Sequence, residues 1–143
     1  MDCVAEVNVS LLPNALLRDP WCAGVTKEGV MLALATGKLR SAPVLTVSAL
    51  GPPEPASEHE ARIAWLVKHG WIDTITLDVG VPALGCHVDW IVLDGNHRLA
   101  AAIYRGDETI GCAIGGDLRY ADELLATQVS GRSADKQITR EAT

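Results

Sequence analysis

Apolar and polar residues alternate over residues 4–10, VAEVNVS, a period that predicts a half-buried strand. Leu11-Leu12-Pro13-Asn14 turns the chain after it. Helical spacing follows. Thr26 stands as an N-cap with Glu28 in the first turn, Val30, Met31 and Leu34 line one face, and Gly37 ends the helix. Pro43 leads into VLTVSAL, a β-branched strand. GPPEPA (51–56) reads as a loop, because adjacent prolines fit neither a helix interior nor a central strand.

Ser57 and Glu60 have the spacing of a capping box. The helix beyond them carries Ile63, Leu66 and Val67 on one face and ends at Gly70. Residues 73–79 (DTITLDV) alternate again and predict a strand, and Gly80 to Gly85 turns the chain. Within 88–93 (VDWIVL), the unbroken apolar run Trp90-Ile91-Val92-Leu93 predicts a strand buried on both faces. Asp94-Gly95-Asn96-His97-Arg98 comes next. It opens a short helix, LAAAIYR, with Leu99, Ala102 and Ile103 inward and Gly106 as its C-terminal cap. TIGCAI (109–114) is a last strand and about 118–126 a last helix. From Gln128 onward apolar residues are sparse, which predicts a disordered tail over 128–143. The order of elements implies an α+β fold, a small mixed sheet with packed helices.

Composition narrows this picture. A chain of 143 residues fits one domain, here 1–127, and 48% hydrophobic against 21% charged residues excludes global disorder. Phe is absent, so Leu, Val, Ile and Ala must build the core around four Trp. No run of 18 apolar residues exists, and MDCVAEVNVS shows neither a basic start nor a long apolar stretch, so the expectation is a cytoplasmic chain without a membrane span or secretory signal. Cys3, Cys22, Cys86 and Cys112 form no CxxC pair and read as reduced, structural thiols. Cys86-His87 lacks the second ligand pair that a zinc site needs. A net charge of −6 without a basic run argues against avid, sequence-independent DNA binding. A weak DNA contact and a protein partner stay open.

Chemistry concentrates where the apolar strand meets the glycine turn and the helix start. A helix N-terminus presents unpaired N–H groups and the positive end of its dipole, which suits an anion. Arg98 adds a planar fork for phosphate oxygens, and His97 can donate to phosphate or move a proton near neutral pH. Gly95 lets backbone come close, and Asp94 could hold Mg²⁺ or accept a proton. The plainer reading weighs equally: Asp-Gly is a common turn, Asn96 a good N-cap, and Arg98 a partner for a surface carboxylate. His59 and His69, on an amphipathic helix, read as solvated, and Trp65, Trp71 and Trp90 as core.

The stretch VLDGNHRLAAAIYRGDETIGCAIGG resembles the ParB/sulfiredoxin superfamily in its ParB-like nuclease and small-kinase branches. Those proteins share a strand, a D-G-x-H-R turn, an Ala-rich helix, a Gly and a short strand. The resemblance is close over 88–115 and looser over 4–50; it makes 51–87 an insertion or elaborated hairpin. It implies a ParB/sulfiredoxin-like fold and a nucleotide held by its phosphates on Gly95, Asn96, His97 and Arg98, with Lys27 lending a further cation. The implied ligand is a nucleoside triphosphate, ATP first, with Mg²⁺ on Asp94, and the implied catalytic pair is Asp94 and His97. Nucleotide hydrolysis or phosphoryl transfer is the reaction this suggests. A metal-dependent DNA nuclease and a non-catalytic interaction protein of plasmid or phage type are the alternatives. Asn96 stands where sulfiredoxin has its catalytic cysteine, which excludes sulfinic-acid repair through that residue. The G-E-R-R turn of the CTP-binding partition proteins and their helix-turn-helix segment are missing, and Asn14-Ala15 follows Pro13 where the free-serine kinases place a glutamate base. Glu58 or Glu60 could substitute for that base.

Overall fold

The computed structural model describes residues 3–18, 24–44 and 54–131. The alternation near the start forms β1 (Cys3–Asn8), with Ala5 and Val7 buried, and a 3-10 turn continues it over Val9–Leu11. A short helix not expected from the sequence, α1 (Asn14–Arg18), follows Pro13 and buries Leu16. The later elements are α2 (Lys27–Thr36), α3 (Ala56–His69), β2 (Ile75–Asp78), β3 (Val92–Asp94), α4 (Asn96–Arg105), β4 (Thr109–Gly115) and α5 (Leu118–Leu125). The fold is α+β, with a small mixed four-stranded sheet and packed helices. Except for Val44, the strand expected at 44–50 lies outside the described residues, as do loop residues 51–53, Cys22 and the tail from 132. No helix among the described residues is long and apolar enough to cross a membrane.

The chain divides into two compact units. The first is drawn from Met1–Leu16, Asp73–Gly95 and Glu108–Thr143 and contains the sheet, in the order β1-β4-β2-β3. β4 runs antiparallel to β1 (Val7 opposite Ile110) and parallel to β2 (Ile75 opposite Cys112). Ala5, Val7, Ile75, Leu77, Ile110, Cys112 and Ile114 alternate along their strands into one buried face. Among the described residues β3 pairs only with β2, at the edge of the sheet, and its exposed Leu93 beside buried Val92 corrects the strand expected to be buried on both faces. It has three residues, and Leu93 is 64% exposed, because an edge strand has one side without a neighbour.

Asp117 caps α5 by accepting from the backbone of Arg119 and Tyr120. Beyond it the chain does not fray at 128, as the sparse apolar pattern suggested. Asp122 accepts from Thr127 Oγ1 (2.7 Å), from the backbone N–H of Val129 (2.9 Å) and Ser130 (3.3 Å), and from the Ser130 hydroxyl. Burial would raise this carboxyl, but the bonds from Ser130, Thr127 and Val129 together hold it below its usual value. The turn so fixed buries Val129 completely.

The second unit, from Leu17–Ile72 and Asn96–Asp107, is built on α2, α3 and α4. Val30 and Ala33 of α2, Ile63, Ala64 and Leu66 of α3, and Ala100 and Ala101 of α4 form its core with Val25. Leu99 and Ala102 are buried as expected, and the small side chains at 100–102 suit close helix packing. Met31 lies 52% exposed, contrary to expectation; Val30, Ala33 and Leu34 carry the inward stripe instead. Trp65 and Trp71 are half-buried, each with an arginine over its ring, Arg62 at 5.1 Å and Arg105 at 4.9 Å. Trp65 and Trp71 pack against this core as expected, while Trp90, in the first unit, is half-buried.

The expected capping box at Ser57 does not form. α3 starts at Ala56, so Ser57 is inside its first turn and Pro55 takes the cap position without a side-chain bond. Glu60 instead reaches α2, where Thr26 caps Gly29. Its Oε2 accepts from the Thr26 backbone N–H (3.0 Å) and hydroxyl (3.2 Å). In a capping box that carboxylate comes from the third helical residue, which here is Gly29. A Cβ on Gly29 would overlap the Glu60 carboxylate, so the missing side chain makes room for a substitute from another helix. The segment 51–87, which the resemblance makes an insertion or elaborated hairpin, supplies α3 and the interior strand β2.

Candidate functional site

The five residues that opened the search take consecutive places. Asp94 ends β3 with its residue exposed. Gly95 has φ +109°, and a Cβ there would fall 2.5 Å from Ile75 Cγ2, so the fold alone requires glycine. Asn96, His97 and Arg98 form the first turn of α4 and are half-buried. Lys27 is the first residue of α2 and exposed.

His97 has a partner that the sequence reading placed in solvent. His59 is 1% exposed, and its Nδ1 lies 2.8 Å from His97 Nε2. The two rings are nearly parallel, 10° apart, with centroids at 5.1 Å. At that separation one nitrogen carries the proton and the other accepts it. His59 Nε2 is buried without a hydrogen-bond partner among the described residues. The burial has a simple origin: His59 lies four residues before Ile63 and seven before Leu66, on the stripe that faces the core.

The charges of three arginines act on His97, and that of Arg40 also on His59. Burial, then the charges of His59, Arg62, Arg40 and Arg98, lower His97 to about 4. Burial also lowers His59, opposed by Glu54 and aided by Arg40. Burial and the neighbouring Arg98 and Arg40 pull down Arg62 as well. Arg40 bridges Glu58 at 3.1 Å and Glu54 at 3.9 Å, and donates to the Pro43 carbonyl. Arg62 donates to the neutral Ser41 carbonyl, which leaves its charge uncancelled by that bond. His97 thus feels a positive field in a chain of net charge −6, although Glu54 and Glu58 offset the Arg40 part of it. At neutral pH both imidazoles are uncharged, so His97 offers hydrogen bonds rather than a cation.

Among the described residues no three His, Cys, Asp or Glu side chains gather as a metal site, and Cys86 lies exposed. Burial, with Glu6 nearby, pushes the Cys112 thiol up to about 12. Comparison with protein-family models, curated proteins and solved structures gives no match.

Proposed function

We propose that this protein binds a nucleotide through its phosphates at the first turn of α4 and processes it by hydrolysis or phosphoryl transfer. The observation that carries this reading is the positive field that Arg62, Arg40 and Arg98 exert on His97, in the first turn of α4. Phosphate would meet helix N–H groups, the dipole, and guanidinium forks made for oxyanions. The resemblance of the D-G-N-H-R turn to the ParB/sulfiredoxin superfamily supports the same ligand, and the family fold belongs to this proposal. Phosphoryl transfer is mostly positioning and charge neutralisation, which fits a site of fixed cations and neutral donors.

Magnesium keeps most of its waters and needs only one or two carboxylates beside substrate phosphates. Asp94 is a single carboxylate, so the donors fit a Mg²⁺ that arrives on the nucleotide and offsets its charge. In this reading Asp94 serves that ion, Asn96 and the backbone at Gly95 frame the turn, His97 and Arg98 hold oxygens, and Lys27 is an outlying cation.

A thermal-shift panel of nucleotides, with and without Mg²⁺, tests the proposal. Ligand at 100 times its dissociation constant adds about 2.7 kcal/mol of stability. Arg98→Ala is expected to weaken ATP roughly ten- to a hundred-fold and adenosine little, since a lost charge-assisted bond costs about 1.5–3 kcal/mol. Asp94→Asn is expected to spare binding and abolish Mg²⁺-dependent turnover. No shift with any nucleotide, or equal ATP affinity in Arg98→Ala, refutes the reading.

A further inference from the structure

We propose that His59 is a positioning residue for this site: it donates from Nδ1 to Nε2 of His97 and holds His97 in the tautomer that carries its proton on Nδ1. The inference deepens the phosphate reading, because that tautomer gives the helix start a neutral N–H donor for an oxyanion.

Two proton arrangements satisfy the 2.8 Å contact. In one, His97 Nε2–H donates to His59 Nδ1, and the His59 proton must then sit on Nε2. That atom is buried and has no hydrogen-bond partner among the described residues, so an N–H there would lack an acceptor among them. In the other, His59 Nδ1–H donates to His97, and Nε2 keeps a bare lone pair. Orphaned buried N–H groups are the rarer defect in folded proteins, and an unfilled acceptor is the more tolerated one. The Glu54 carbonyl favours a proton on this ring but makes no hydrogen bond to Nε2. With Nε2 of His97 filled as an acceptor, its own proton is left on Nδ1. The 1% exposure of His59 keeps water from competing for the contact.

The choice matters because Arg62, Arg40 and Arg98 are the charges, besides His59, that shift His97, with Glu54 and Glu58 set on Arg40. An anion drawn there by Arg40, Arg62 and Arg98 would meet a lone pair in one tautomer and a donor in the other. Only the second adds a hydrogen bond, and it does so without another positive charge among three guanidiniums.

Long-range ¹H–¹⁵N spectra of the labelled, ligand-free protein at pH 7.5 read the tautomer directly. His97 is expected to show a protonated Nδ1 and a bare Nε2, the reverse of the form free histidine favours in water. His59→Asn keeps an amide N–H near the Nδ1 position and is expected to preserve the signature. His59→Phe fills the space without a donor and is expected to release His97 to the Nε2–H form. In a pyrophosphate titration of the same samples, His59→Asn should bind within about threefold of the wild type, and His59→Phe about tenfold more weakly. A wild-type His97 protonated on Nε2 overturns the inference whatever binds, and that spectrum decides the matter even if His59→Phe fails to fold. An intact Nδ1–H signature without pyrophosphate binding leaves the tautomer standing and removes the phosphate reading.

Discussion

Gly29→Ala ought to stabilise a helix, and in this protein the fold predicts the opposite. Alanine in place of glycine in a helix is worth about 0.5–1 kcal/mol by backbone entropy. Here the new Cβ would occupy the place of the Glu60 carboxylate, which must swing away. Leaving breaks two bonds to the start of α2, to the Thr26 N–H and its hydroxyl. A capping interaction of this kind is worth about 0.5–2 kcal/mol, and the carboxylate also loses its favourable end of the helix dipole. These groups lie near water, which takes over part of the bonding, so about 1–1.5 kcal/mol is the reasonable loss. The wild type should then lose on the order of 0.5 kcal/mol on Gly29→Ala. In a Glu60→Ala background nothing remains to displace, and the same change should stabilise by about 0.5–1 kcal/mol. Urea denaturation of the four proteins of this double-mutant cycle measures a coupling of about 1–1.5 kcal/mol and a change of sign. Equal stabilisation in both backgrounds refutes the argument, since Glu60 would then contribute nothing to the cap.

Three further outcomes follow from burial and titration. The unfolded His97 ring titrates near 6.5 and the folded one near 4, so the unfolded chain binds more protons between those values. The contribution is complete above pH 6.5 and is lost as pH falls to about 4; 1.4 kcal/mol per unit makes it about 3.5 kcal/mol at most. His59 acts in the same direction, and His97→Gln should flatten the slope of denaturation midpoint against pH; an unchanged slope counts against a buried neutral pair. Val129→Ala should cost about 2 kcal/mol, and deleting 128–143 should lower the melting temperature by several degrees, because Val129 is fully buried; an unaltered melt would show that the turn on Asp122 does not hold. Cys86 should react with an aromatic disulfide reagent in the folded protein while Cys112, buried and shifted to about 12, reacts only on unfolding; early modification of Cys112 contradicts its burial.

Local sequence determined the features that depend on neighbouring residues. Two-residue alternation located β1 and β2, and Thr26, Gly37 and Gly70 marked helix ends because caps and positive-φ turns are decided within one turn of chain. The turn at 94–98 and the helix after it were legible for the same reason. Tertiary structure decided what depends on which element lies alongside. VDWIVL reads as a fully buried strand, yet its place at the sheet edge exposes Leu93. Glu60 has capping-box spacing within its own helix but serves another one, since Gly29 leaves the space. Residues 128–131, the start of the stretch that looked too polar to order, are held where one carboxylate, Asp122, collects donors from Val129 and Ser130 and Val129 is buried. Arg40, Arg62 and Arg98 are scattered in a chain of net charge −6, so no window of sequence shows a basic site; packing of α3 against α4 brings their fields onto one histidine. His59 is the intermediate case. Its spacing to Ile63 and Leu66 was readable as core, but only the fold could supply His97 as the partner that makes burying an imidazole tolerable.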